Sequence, residues 1–191
     1  MKRLLLTLLL VLVASSAQAA VWKVDTDHSA VHFSIQHMMI AQVRGAFHDI
    51  SGSVTFDGAV PSAFDITVEV DSLDTGVDKR DDHLESADFF DEQRFPLIRF
   101  VSTAVTPSGE GYEVTGNLTL KGVTRPVTFM LGGLDRSITD PWGNVRRGGV
   151  ATLTIDRRDY DVRWNAPLDG GGLLIGNDVD IIVDFEVLEP R

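Results

Sequence analysis

The stretch Phe64-Asp65-Ile66-Thr67-Val68-Glu69-Val70-Asp71 alternates strictly between apolar and polar residues, the period of two that marks a half-buried β-strand. The pattern recurs on both sides of it. Upstream, Val31, Phe33 and Ile35 alternate with His32, Ser34 and Gln36; downstream, Gly116, Leu118 and Leu120 alternate with Thr115, Asn117 and Thr119. Further strands are predicted at Val127–Leu131, Ala151–Ile155 and Ile181–Val187, and less regular ones at Ile98–Thr106 and at Gln42–Asp57, where Gly45 and Gly52 suggest bends or bulges. With Trp22–Asp25 the chain holds about eight or nine strands, separated by turn signals such as Asp57-Gly58, Lys121-Gly122 and Gly170-Gly171-Gly172.

One segment breaks this rhythm. Between Asp78 and Phe90, acids at Asp78, Asp81 and Asp82 mark a helix N-terminus, and Leu84, Ala87 and Phe90 recur three residues apart, which predicts a short helix packed on the sheet. Strands with one wet face belong to antiparallel sheets, so the fold class is all-β with one or two short helices. A sandwich and a barrel both satisfy the pattern. An eight-stranded antiparallel barrel tilted near 40° would be roughly 16 Å across its backbone, wide enough for side chains or one slender ligand.

The 191 residues fit a single domain plus a targeting segment. Residues 1–19 begin with Lys2 and Arg3, continue through a short apolar run and end with small residues at Ala17 and Ala19, the pattern of a cleaved signal peptide. The apolar run is too short for a transmembrane anchor. Residues 20–191 then form the mature domain. The charge balance argues against nucleic acid as a partner: 28 Asp+Glu against 17 Lys+Arg leave −11 for the whole chain, whereas phosphate binding needs clustered cations. There is no cysteine, so an exported chain would rest on its core without disulfides.

Reactive constellations are scarce. His28 and His32, on one continuous strand face, would lie about 13 Å apart at 3.3 Å per residue, too far to share a zinc. The sequence has no HExxH, no G-x-S-x-G elbow and no EF-hand loop. Nothing selects a catalytic pair among the acids, and no cofactor or metal is expected. Arg80 and His83 stand three apart on the predicted helix, where both could reach a polar head group; an ion pair from Arg80 to Asp81 is the alternative. By periodicity alone, Phe33, Ile35, Phe56, Ile66, Val68, Phe100, Leu118, Phe129, Leu153 and Phe185 are core residues, with the small Ala151 in phase with them and Phe90 facing the barrel from the helix.

The order of short motifs resembles the YceI-like family of periplasmic proteins, whose lipocalin-like barrels bind polyisoprenoid or similar amphiphilic lipids. The resemblance is carried by Asp27-His28-Ser29, Val43-Arg44-Gly45-Ala46-Phe47, Asp74-Thr75-Gly76, Arg80-Asp81-Asp82-His83-Leu84 and Asp88-Phe89-Phe90-Asp91. It continues through Phe95-Pro96, Leu118-Thr119-Leu120-Lys121-Gly122-Val123-Thr124, Asp156-Arg157 and Gly176-Asn177-Asp178-Val179. Tyr160-Asp161-Val162 departs from an expected aromatic-Gly-Val. The resemblance implies an elongated eight-stranded barrel around an apolar tunnel. The apolar residues above then become a ligand wall, and Arg80 and His83 a head-group contact. It implies a non-enzymatic periplasmic carrier of a polyisoprenoid, whether quinone-like or prenyl lipid, or of a fatty-acid-like amphiphile, with a stress-response role and a homodimer as further expectations. Two other readings stand beside it: a small enzyme acting on an amphiphile in the same barrel, and a stress-linked interaction protein with a filled core.

The leader makes a direct prediction. N-terminal analysis of exported protein should begin at or near Ala20, and Met1 retained on exported protein would refute a cleaved signal.

Overall fold

A computed structural model of the chain describes residues 19–190. The expected leader, apart from Ala19, lies outside the described residues. The alternating runs become strands β1 (Ala20–Val24), β2 (Ala30–His37), β3 (Ala41–Phe47), β4 (Ile50–Asp57), β5 (Val60–Glu69) and β6 (Leu73–Asp74). A helix, α1 (Asp78–Glu85), intervenes before β7 (Leu97–Ser108), β8 (Gly111–Leu120), β9 (Val123–Gly133), β10 (Ile138–Thr139), β11 (Val145–Asp156) and β12 (Ile175–Leu188).

All the pairings are antiparallel, and the order β11-β9-β8-β7-β5-β4-β1-β12 returns to β11, which closes an eight-stranded barrel. Strands β2, β3 and β6 lengthen one end of it: β2 lies beside β12 beyond β1, β3 beside β2, and β6 beside β3. The first three staves are therefore each broken in two. A 3-10 turn at Thr26–His28 separates β1 from β2, His48-Asp49 separate β3 from β4, and a 3-10 turn at Val70–Ser72 separates β5 from β6. The strand expected to run on to Asp71 thus ends at Glu69. Side chains repair the ladder where it is interrupted: at the first break Ser29 Oγ accepts from Glu186 N–H at 3.1 Å, and beside the register shift at Ser102 in β7 the Ser102 Oγ accepts from Phe64 N–H at 2.8 Å.

Neither glycine expected as a bend in the third segment is where the strand breaks. Gly45 lies beneath the Phe33 ring, where a Cβ would come within 2.6 Å of Cζ, so the residue makes room for an aromatic side chain on the neighbouring strand. Gly52 has φ 132°, and a Cβ there would approach Asp65 O to 2.1 Å. Each glycine allows a close approach.

Helix α1 stops earlier than its spacing suggests. Ser86 Oγ donates to His83 O at 2.7 Å and Ser86 itself is extended, so the chain turns out of the helix before Ala87. Ala87 is exposed, and Phe89 is buried in its place.

One end of the barrel is filled. Trp22, Val54, Phe56, Val114, Leu131, Leu134 and Val187 form a dense cluster there. The Arg147 guanidinium sits over both rings, 4.9 Å from Trp22 and 4.5 Å from Phe56, with Nη1 donating to Ala59 O at 2.7 Å. Outside this end, Arg146 joins three carboxylates: it donates to Asp140 at 2.8 Å, to Glu186 at 3.1 Å and to Asp25. Burial raises the carboxyl pKa of Asp25 and of Asp140, but hydrogen bonds, led by those from Arg146, outweigh it and hold both below the ordinary carboxylate range.

Two predictions follow from the fold's geometry. Val68 is buried beside Phe47, Ile50 and Leu73, whereas the Glu69 side chain points outward. Glu69→Ala should shift stability by less than about 0.5 kcal/mol; Val68→Asp should prevent folding, because it buries an unpaired carboxylate. Equal denaturation midpoints for the two variants would show the strand to be inside out.

The Arg146 network sets a pH dependence. A carboxyl whose pKa is depressed by folding stabilises the native state above the ordinary value of 3.8 and loses that contribution as pH falls through the folded pKa. Arg146→Met should lower the urea midpoint at pH 7, and the gap from wild type should narrow as pH falls below about 4. A gap that stays constant from pH 7 to pH 3 would show that Arg146 does not hold these carboxylates.

Candidate ligand-binding cavity

Away from the filled end, the inward-facing residues fail to meet across the barrel. They surround a cavity of about 500 Å³, within the usual range for small-molecule sites. On β12 the wall is Val179, Ile181, Val183 and Phe185, every second residue over about 20 Å of strand at 3.3 Å per residue. Phe129, Leu118, Leu153 and Val183 all face inward yet are only half-buried, whereas Val54 and Val187 at the filled end are 0% exposed. The surface these wall residues retain is therefore the surface of the cavity.

The wall takes in nearly all the apolar residues singled out from the sequence. Phe33 and Ile35 reach it from β2, Ile66 and Val68 from β5, and Phe100 from β7. Leu118 and Phe129 contribute from β8 and β9, Ala151 and Leu153 from β11, Phe185 from β12, and Phe90 from the segment after α1. Phe56 is the correction. It is 1% exposed and packs its ring 5.2 Å from Trp22, because it lies at the far end of β4, next to the β4–β5 turn, where the barrel is already filled.

The polar part of the wall lies at the opposite end, the mouth. Arg80 and His83 reach it from α1, His37 from the end of β2, and Arg157 from the end of β11. Arg80 does not pair with Asp81. Its Nε donates to Thr75 Oγ1 at 2.6 Å and its Nη2 to Thr75 O at 2.7 Å, while the Asp81 carboxylate accepts from Thr75 N–H at 3.1 Å. His83 Nε2 lies 2.9 Å from an Asp88 carboxylate oxygen, and its ring meets Phe89 and Trp164 edge-on at 5.1 and 4.9 Å.

Arg157 is 5% exposed, and its polar partners are backbone carbonyls. Nε donates to Gly176 O at 2.8 Å, and Nη1 donates to Val162 O at 2.7 Å and Trp164 O at 2.9 Å. Burial pulls its pKa below the ordinary guanidinium value. The Tyr160-Asp161-Val162 segment that departs from the expected glycine still makes its turn beside Arg157, with Asp161 in the left-handed region at φ 60°. An aspartate tolerates that conformation better than most side chains.

Sequence reasoning did not single out Arg157 or His37, yet both were within its reach. Arg157 continues the inward series Ala151, Leu153, Ile155, and His37 continues Val31, Phe33, Ile35. The rim beside His37 is apolar: Met38 and Met39 turn the chain at φ 51° and 62°, Ile40 is 85% exposed, and Met38 N–H donates to Leu174 O at 2.7 Å.

His28 and His32 do not converge. His28 leaves the strand in the 3-10 turn and bonds Asp25 at 2.8 Å, while His32 faces outward, 3.8 Å from Asp184. Asp25, His28 and Glu186 do bring metal-type donor atoms within 4.8 Å of one another. The Arg146 guanidinium already bonds the two carboxylates of that group, so it supplies the positive charge there.

Comparison with known proteins places these features. A family model described as YceI-like domain matches residues 22–187. A UPF0312 protein of Enterobacter sp. (strain 638) is 39% identical over 189 residues, covering 95% of this chain and 93% of its own. Protein YceI of Escherichia coli O17:K52:H18 is 37% identical over 186 residues, covering 93% and 92%. Among solved structures, BcnA of Burkholderia cenocepacia superposes with a TM-score of 0.73 at 28% identity, over 85% of this chain and 98% of its own. A polyisoprenoid binding domain from Saccharophagus degradans shares the fold, with a TM-score of 0.64 at 14% identity, over 91% and 100%.

Proposed function

The chain belongs to the YceI-like family, and from that premise we propose that it is a periplasmic carrier which sequesters one long-chain amphiphilic lipid, polyisoprenoid in type, without transforming it. The observation that carries this reading is the apolar cavity of about 500 Å³ inside a closed barrel. The leader read in residues 1–19 supports the compartment. The name of the Saccharophagus degradans domain supports the ligand class.

Desolvation supplies the affinity. Each buried methylene contributes about 0.8 kcal/mol, so ten of them give about 8 kcal/mol before the costs of ordering the chain and losing its free motion. Such a site holds a tail by excluding water from it. The elongated wall along β12 suits an extended chain better than a compact one.

Phe129 and Ala151 provide the test. In a filled core Phe129→Ala would cost about 3–5 kcal/mol; on a cavity wall its ring packs 5.3 Å from Phe100 and against the filled-end cluster but faces the cavity with the rest of its surface, so the lipid-free protein should lose less than that while lipid binding weakens. Ala151→Trp should place an indole in the lower cavity, leave the lipid-free protein folded, and prevent lipid from co-purifying in solvent extracts analysed by mass spectrometry. An Ala151→Trp protein that is destabilised by about 1–3 kcal/mol, as overpacking a filled core would do, yet retains lipid like the wild type would sink the proposal.

A further inference from the structure

We infer that the tip of the β2–β3 hairpin, Met38-Met39-Ile40, inserts with Leu173 into the surface of a lipid bilayer, and that the cavity exchanges its lipid while the protein is docked there. The inference rests on the carrier reading above and adds the surface through which the carrier meets its source of lipid.

The tip is apolar, exposed and expensive to hold in its conformation. Met39 is 56% and Ile40 85% exposed, and Leu173 beside them is 45% exposed. Ile40 N–H donates to His37 O at 3.1 Å, which closes a two-residue turn whose central residues, Met38 and Met39, both have positive φ, 51° and 62°. That turn favours Asn-Gly, because a Cβ is disfavoured in the left-handed region. Two methionines there oppose both the local conformational preference and the preference of apolar groups for burial, so neither folding nor packing accounts for them. Their unbranched, polarisable side chains suit a surface without fixed shape.

Position and charge select a bilayer as what covers the tip. The exposed residues continue directly into the cavity wall: His37 precedes Met38 and Leu174 follows Leu173, both lining the cavity, and Met38 N–H donates to Leu174 O at 2.7 Å. A tail that left a bilayer through water would expose all its methylenes, whereas an apolar rim continuous with the cavity keeps them covered. The chain has 28 acids, yet none falls between Ser29 and His48, where Arg44 is the one formal charge; residues 167–174 add Asp169. Charges more than about 8 Å from contact are screened at about 0.15 M salt, so the acidic body of the protein does not prevent this nearly neutral edge from approaching a membrane. Four side chains also fall well short of the roughly 20–30 residues a side of a stable protein interface, while shallow insertion of an apolar edge needs only a few.

The test is flotation of the whole mature protein with vesicles of phosphatidylethanolamine and phosphatidylglycerol, comparing wild type with Met38→Asn/Met39→Gly/Ile40→Thr. The variant carries the pair this turn prefers, so it should melt at or above the wild-type temperature. Its partition onto vesicles should nevertheless fall by roughly tenfold or more, and it should take up lipid from them more slowly. Ile40→Asp alone, at so exposed a residue, should also reduce flotation and answers the question if the triple change disturbs the hairpin. Folded variants that float like the wild type, or a wild type that does not float, would overturn docking. So would a wild-type dimer in sedimentation that the variant converts to monomer, since a second copy would then cover the tip. Solvent extraction of the same preparations keeps the two readings apart: tip-dependent flotation with no lipid in the extracts supports docking and counts against the carrier, and lipid in the extracts without flotation does the reverse.

Discussion

Hydrogen bonding on both edges of β12 is the constraint on which the rest of the molecule depends. One edge pairs with β11 without interruption from Arg146↔Leu188 to Asp156↔Asp178, and the other pairs with β1 and then β2. The eight strands closed in this way leave no free edge between them and have a radius set by their number and tilt, while the extension beyond β12 ends on β6, which pairs on one side only. Inward and outward residues are then fixed by the pleat, because a shift of one residue would turn every apolar side chain into water. The ladder breaks at Thr26–His28 survive because Asp25 N–H still reaches Glu186 O at 2.9 Å and Ser29 fills the next position.

With the radius fixed, the size of the inward side chains decides what is core and what is cavity. At one end Trp22, Phe56 and Arg147 stack across the interior and Leu134 folds in over them, so no space remains. Higher up, several large rings lie over glycines on the adjacent strand and so along the wall. Phe33 covers Gly45, and Phe185 lies 3.0 Å from where a Cβ on its partner Gly149 would stand. An aromatic ring flattened in this way adds apolar surface without crossing the barrel. The same residue type therefore fills one end and lines the other.

Alternation made the faces legible in the sequence, so the inward residues from Phe33 to Phe185 could be named before any geometry was known; that they border a cavity rather than fill a core was implied by the resemblance alone. It could not report depth. Phe56 and Phe64 share a face with the wall, but only Phe64 lies where the interior opens. Strand breaks were also illegible, since His48-Asp49 resemble ordinary strand polar residues while Gly45 and Gly52 resemble breakers; the close approaches that require those glycines come from the neighbouring strands. The end of α1 depended on a local competition, the Ser86 hydroxyl taking the His83 carbonyl. Arg157 is different in kind. Its phase placed it inside, and what hid it is the general rule that arginines stay outside.

That exception connects the fold to the chemistry. A buried guanidinium is tolerable here because the segment after the 3-10 turn Arg157–Tyr160 and the start of β12 present three carbonyls to it, from Val162, Trp164 and Gly176. Those bonds join the end of β11 to the start of β12 and shape the mouth, so removing the charge would also loosen the rim. The outward face carries the acids that give the chain its negative charge, and the cavity wall carries cations and none of those acids among the described residues. Solvation explains the outer acids without further cause. The inner Arg157 has a structural reason of its own, because its fork of donors serves three carbonyls at once, which the two hydrogens of a glutamine amide could not. The separation of sign across a single layer of sheet therefore has two local causes: the outward acids are solvated, and the buried guanidinium is held by the carbonyls that shape the mouth.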